Sequence, residues 1–109
     1  ENIYYYITLQ NESYRMPPMP ADARSGILRG LYRFSTAPER LTHHVQLLGS
    51  GSIFNEVRRA QAILAERFSV SADLWGVTSY KRLREDALEA ERHSRLHPHD
   101  PPRVPRPAR

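Results

Sequence analysis

The sequence predicts an α/β fold that is incomplete as it stands: a mainly parallel β-α-β-α unit preceded by one further strand and a proline-rich linker. Three observations lead there. A short apolar run, Val45 to Leu48, leads directly into Gly49-Ser50-Gly51-Ser52. Ile53, Val57, Ala60, Leu64 and Phe68 then recur at spacings of three and four, the period of an amphipathic helix. A second apolar run at Leu74, Trp75 and Val77 follows and gives way to a second helical stretch. Strand, helix and strand in so short a succession give parallel strands joined by a right-handed crossover.

The elements follow in chain order. Ile3 to Leu9 (IYYYITL) is a β-branched and aromatic run, the composition of a packed strand. Pro17, Pro18 and Pro20 fix φ and remove backbone donors, so the stretch after it is a connector. Asp22 is placed to cap a short helix running to about Gly30, and Leu31 to Ser35 alternates apolar and polar as a half-buried strand does. Thr36 to His43 reads as a polar loop, Ser69 to Ala72 as the exit from the first long helix. Thr78 or Ser79 is placed to cap the second, from about Tyr80 to Leu96. The tail from His97 carries Pro98, Pro101, Pro102, Pro105 and Pro107 and offers no central strand. A parallel sheet is covered on both faces and needs several strands, so this one looks unfinished.

Composition bounds the function. A chain of 109 residues holds one domain at most, and 39% hydrophobic residues give it a modest core. With no cysteine, a disulfide scaffold, a thiolate zinc site and a cysteine nucleophile are excluded. No apolar run approaches the roughly 20 residues of a membrane span, and no signal-peptide pattern opens the chain. The first residue is Glu1 and the last stretch an Arg/Pro run, so the expectation is a piece of something longer. The formal charge of +4 comes from fifteen arginines and Lys81 against 12 acids. Basic and acidic residues interleave in both helices, which points to solvated faces rather than to a nucleic-acid surface.

Several patterns could carry chemistry. Gly49-Ser50-Gly51-Ser52 at a strand-to-helix turn has free N–H groups that could meet a phosphate, but it lacks the lysine of a P-loop and the third glycine of a dinucleotide fingerprint. A sharp turn with Ser52 as helix cap explains the same residues. His93 and His97, four apart and followed by His99, have metal-ligand spacing on a helix; no glutamate stands between them, and Pro98 ends the helix there. Capping or solvent-facing histidines are the simpler reading, and His43-His44 reads as a loop pair. Glu85 and Asp86 diverge on a helix whose Arg82–Asp86 and Glu91–Arg95 spacings make ordinary surface pairs. Tyr4, Tyr5 and Tyr6 beside Arg15 and the Arg-Pro tail could stack on and neutralise a single strand of nucleic acid, though alternation sends at least one face of that strand into a core.

Taken together, ENIYYYITLQNESYRMPPMP, GILRGLYRF, VQLLGSGSI, DLWGVTSYKRLREDALEAER, LHP and PRVP resemble the homodimeric-type pyruvate dehydrogenase decarboxylating component, a family of the transketolase superfamily. The resemblance runs in order up to Val104-Pro105. It implies a fragment of a much longer acetyl-transferring enzyme that uses thiamine diphosphate and magnesium, works as a homodimer in the cytoplasm and serves a lipoyl acetyltransferase. Residues 1–20 then correspond to the end of the pyrimidine-binding domain and its linker, and residues 21–109 to part of a transketolase C-terminal-like domain with a Pro/Arg-rich tail from about 97. The family's Gly-Asp-Gly motif and activating glutamate are not in these residues, so the resemblance transfers no catalytic, cofactor-binding or metal-binding residue. It implies a structural, inactive piece that binds no cofactor itself. Arg106-Pro107-Ala108-Arg109 departs from the family pattern, where a further strand follows, and suggests truncation, a frameshift or a partial gene. The alternative is a stand-alone basic module for polyanions or a protein partner.

Overall fold

A computed structural model describes residues 2–104. The order of elements is α1 (Arg24–Arg29), β1 (Leu31–Ser35), β2 (His43–Gly49), α2 (Ile53–Phe68), β3 (Val70–Val77) and α3 (Tyr80–Leu96). The sheet order is β1-β3-β2. β2 and β3 run parallel from His43 opposite Val70 to Gly49 opposite Gly76, while β1 is antiparallel to β3 with a register shift between Arg33 and Ser35. The predicted β-α-β-α unit is therefore the heart of a mixed three-stranded sheet, with β3 at its centre.

The core sits between the sheet and α2. Ala72 and Leu74 of β3 are each 1% exposed, and Phe54 of α2 is buried with its ring edge-on to Phe34 at 4.9 Å. Glycines make room within the sheet, where Gly76 pairs with Tyr32 of β1, and between the sheet and α2, where Gly49 meets Val57. A Cβ on Gly76 would stand 2.5 Å from the Tyr32 ring, and one on Gly49 would stand 2.6 Å from Val57. The predicted helical stripe holds at Val57, Ala60 and Leu64, which are part-buried, but not at its ends: Ile53 and Phe68 are exposed, and Phe54 packs instead.

Local chemistry explains the other departures. The Ile3 to Leu9 strand does not form: residues 2–10 have no regular structure, and Tyr4, Tyr5 and Tyr6 are 83–91% exposed. Strand propensity needs a partner edge and a face to pack on, and this segment has neither among the described residues. The expectation that one of its faces lies in a core is corrected with it. Asp22 does not cap α1; Ala23 takes the N-cap position without a side-chain bond, and Gly30 ends the helix at φ 99°. β2 starts at His43, so His43 and His44 belong to a strand rather than a loop. The exit from α2 shrinks to Ser69, whose N–H bonds to Leu64 O from a left-handed conformation, and β3 begins at Val70. Ser79 does cap α3, accepting from the Arg82 N–H at 3.2 Å. Residues 97–104 carry no strand, and the remaining tail, 105–109, lies outside the described residues.

Extended segments enlarge the surface, since residues 2–20 and 97–104 carry no helix or strand and are mostly exposed. A folded monomer of 12.6 kDa exposes about 6,200 Å². This chain exposes 9478 Å². Its radius of gyration, 17.1 Å, likewise exceeds the roughly 13 Å of a compact domain of this length.

Candidate functional site

The densest polar cluster lies on one face of the parallel pair. Register sets His44 opposite Ser71 and Gln46 opposite Asp73, and alternate residues of a strand share a face, so Trp75 joins the same row. His44 Nδ1 and Ser71 Oγ are hydrogen-bonded at 2.9 Å, and Ser71 Oγ lies 3.1 Å from His43 O. Gln46 Nε2 donates to Asp73 Oδ2 at 3.3 Å and lies 3.1 Å from His44 Nε2, which itself stands 3.3 Å from Asp73 Oδ2. Gln46 Oε1 accepts from the Trp75 indole N–H, and Asp73 Oδ1 accepts from the Ala37 N–H at 2.8 Å. The Arg33 guanidinium lies over the Trp75 ring, 5.5 Å from its centroid.

The Ala37 N–H holds the Asp73 carboxyl below its ordinary range; partial burial opposes this, and the Gln46 and His44 side chains add to it. Ser71, His44 and Asp73 are the residue types of a hydrolytic triad, but the geometry does not make one. Ser71 is 2% exposed and its hydroxyl also lies 3.1 Å from the His43 carbonyl, so although His44 stands between Ser71 and Asp73, the hydroxyl is shut away inside the sheet. With the hydroxyl buried away from any substrate, the cluster acts as a clamp that fixes the register of β2 on β3.

The residues singled out in the sequence do not converge. Gly51 turns the chain at φ 55° between β2 and α2, and Phe54 N–H and Asn55 N–H bond within that turn to Gly51 O and Ser52 O. Ser52 makes no side-chain cap, correcting that expectation, and Glu56 places a negative charge in the first turn of α2. A neighbouring cleft of about 190 Å³, lined by Tyr14, Met16, Tyr32 and Asn55 among others, brings no cation to the turn. The turn is structural. The His93 and His97 rings stack at 4.3 Å, and both the backbone N–H and Nδ1 of His97 lie 3.0 Å from His93 O, which makes them an end cap for α3. Glu91 and Arg95 approach to 4.0 Å, and Lys81 rather than Arg82 provides the neighbouring pair, with Glu85 at 3.7 Å.

The described residues do not fit a thiamine diphosphate–magnesium group. No three His, Asp or Glu side chains gather as ligands among them, and both oxygens of Asp73 are already engaged. Sequence reasoning missed the clamp. Its signal was the alternation of His44 and Gln46 on one run and Ser71, Asp73 and Trp75 on the other, which becomes meaningful only once the register is known.

A mixed sheet in which a parallel β-α-β unit is flanked by an antiparallel strand defines a small α/β module. Residues 30–105 match the model of the transketolase-like C-terminal domain, and the chain belongs to that family. It is 50% identical over 105 residues to the pyruvate dehydrogenase E1 component of Escherichia coli (strain K12), and 46% identical over 103 residues to that of Pseudomonas aeruginosa. The corresponding protein of Mycobacterium tuberculosis is 42% identical over 106 residues. These matches take in 94–96% of the chain but only 11–12% of each relative's length. No helix among the described residues is long and apolar enough to cross a membrane.

Proposed function

We propose that the chain is a structural piece of a pyruvate dehydrogenase decarboxylating subunit. The parent enzyme decarboxylates pyruvate on thiamine diphosphate held with magnesium, and the acetyl group passes to a lipoyl domain of the acetyltransferase component. The cofactor supplies the carbanion chemistry, and residues elsewhere in the parent bind and orient it. Residues 1–20 close the pyrimidine-binding domain and lead out of it, while residues 21–109 open the C-terminal domain. The parent works as a homodimer in the cytoplasm. The 109-residue chain contributes no catalytic, cofactor-binding or metal-binding residue and is inactive alone.

The observation that carries this reading is similarity over 94–96% of the chain to proteins of which it spans only 11–12%. The clamp on β2 and β3 supports a structural role, because its polar hydrogens are all spent within the fold. Two experiments test it. The coding frame upstream of Glu1 is expected to continue and to encode a Gly-Asp-Gly motif and an activating glutamate; a frame lacking both overturns the parentage. Purified chain with pyruvate, thiamine diphosphate and magnesium is expected to release no carbon dioxide above a heat-killed control, and reproducible turnover overturns the assignment of a silent piece.

A further inference from the structure

We propose that His44, Gln46 and Asp73 form a two-state proton switch between β2 and β3: when His44 takes up a proton, the Asp73 carboxylate passes from Gln46 to the imidazolium, and the indole N–H of Trp75 loses its acceptor. The inference rests on the sheet itself and not on the activity proposed above.

Three polar atoms meet at one point. Gln46 Nε2 stands 3.3 Å from Asp73 Oδ2 and 3.1 Å from His44 Nε2, and His44 Nε2 stands 3.3 Å from the same Oδ2. An amide nitrogen brings only protons and a carboxylate oxygen only lone pairs, so the imidazole nitrogen decides the arrangement. With a lone pair, His44 Nε2 accepts from Gln46. With a proton, it donates to Asp73 and meets the Gln46 amide donor against donor. The imidazolium carries protons on both nitrogens and permits only the second arrangement.

The other ring nitrogen selects the first arrangement for the neutral ring. Ser71 Oγ lies 3.1 Å from the His43 carbonyl, which can only accept, so the hydroxyl proton has its place there and Oγ is left to accept from His44 Nδ1 at 2.9 Å. The neutral ring then keeps its one proton on Nδ1 and its lone pair on Nε2. Gln46 carries the change onward, because its Oε1 accepts from the Trp75 indole N–H while its Nε2 serves Asp73. A carboxamide that flips to offer Oε1 to the imidazolium, or one that swings away from it, leaves Trp75 without that acceptor in either case.

The surroundings suit a switch. His44 and Asp73 side chains are 22% and 15% exposed, so solvent protons reach the ring while the pair it forms is only partly screened. The Ala37 N–H holds the Asp73 carboxyl below its ordinary range, which keeps it anionic whenever the imidazole titrates. Ser71 shares a cleft with Glu39 of the loop after β1 and Glu66 of α2. The opposing charge is Arg33 of β1, whose guanidinium lies over the Trp75 ring. His43, next to His44 on β2, is exposed and belongs to the other face of the sheet.

Trp75 is the single tryptophan of the 109-residue chain, so its indole N–H reports the switch directly. Heteronuclear NMR of the nitrogen-labelled chain from about pH 8 to about pH 5, the interval in which imidazoles titrate, tests it. At the upper limit His44 is expected as the Nδ1–H tautomer. On acidification the Trp75 indole N–H resonance is expected to shift upfield with the same midpoint as the His44 ring nitrogens, while the far-UV circular dichroism stays constant. His44→Gln should abolish the indole shift, and His43→Gln should keep it. Gln46→Ala leaves the titrating ring but removes the relay, so the ring should titrate and the indole should not follow. An Nε2–H tautomer at the upper limit, an indole that does not follow His44 in the parent chain, an indole shift that survives His44→Gln or Gln46→Ala, or loss of the folded signal across the interval each overturns the proposal.

Discussion

The backbone N–H of Ala37 donates to Asp73 Oδ1 at 2.8 Å, joining the loop after β1 to the middle of β3 across 36 residues of sequence. Through Gln46 the same carboxylate also reaches β2, so one side chain ties all three strands of the sheet to one another. A charge-accepting group of this kind is worth more than a neutral one, since bonds to an ionised acceptor are shorter and stronger.

The first prediction follows from the direction of that carboxyl's shift. Because the folded state lowers the Asp73 pKa from 3.8, its stabilisation is fully present above the unfolded value and is lost as pH falls through the lower, folded one. Asp73→Asn keeps the shape but sets an amide N–H against the Gln46 N–H. The variant is expected to be less stable at pH 7 by about 1–3 kcal/mol. Urea unfolding at stepped pH should show the gap to the parent chain closing below 3.8; a gap constant down to pH 2 would sink the argument.

The second prediction separates two glycines that both sit at positive φ. Gly30, at φ 99°, ends α1, and its carbonyl accepts from Thr78 N–H and Ser79 N–H, which fastens α1 to the end of β3. A Cβ there would lie 2.7 Å from the Ser79 carbonyl oxygen, a backbone atom that cannot give way. Gly51, at φ 55°, has open space around its Cβ position. Gly51→Ala should therefore cost only the left-handed penalty, about 1 kcal/mol. Gly30→Ala adds a clash to it and should cost about 3 kcal/mol. Thermal unfolding of the two variants measures the order, and equal losses would show that the turn after β2 is not open.

How much of this was legible in the sequence depended on how local the cause was. Leu31 to Ser35 and the helix from Tyr80 to Leu96 were read at their observed bounds, because periodicity and a serine before the apolar pattern are local properties. Ile3 to Leu9 was misread because propensity records how well a residue suits a pleated surface, and nothing local says whether a neighbouring strand exists. Asp22 was misread for another reason. α1 begins after Ala23, whose φ of −75° and ψ of −19° are already helical, so no extended residue at that end offers its side chain to the first free N–H groups. The clamp needed the register of β2 on β3, which brings His44 to Ser71 across 27 residues.

The last prediction turns on that difference between caps. Ser79 has φ −156° and ψ 100°, extended backbone that swings its hydroxyl over the first turn of α3 to accept from Arg82 N–H. Ser52 precedes α2 at φ −64° and ψ −31°, already helical, and its hydroxyl makes no cap bond. The two serines look alike in sequence, each one residue ahead of a long helix. Ser79→Ala removes the only side-chain acceptor at that terminus among the described residues and should destabilise the chain by about 1 kcal/mol. Ser52→Ala removes no such bond and should stay within about 0.5 kcal/mol of the parent. Denaturant midpoints for the pair decide it: a loss for Ser52→Ala as large as that for Ser79→Ala would mean that backbone conformation at the first position does not govern capping here.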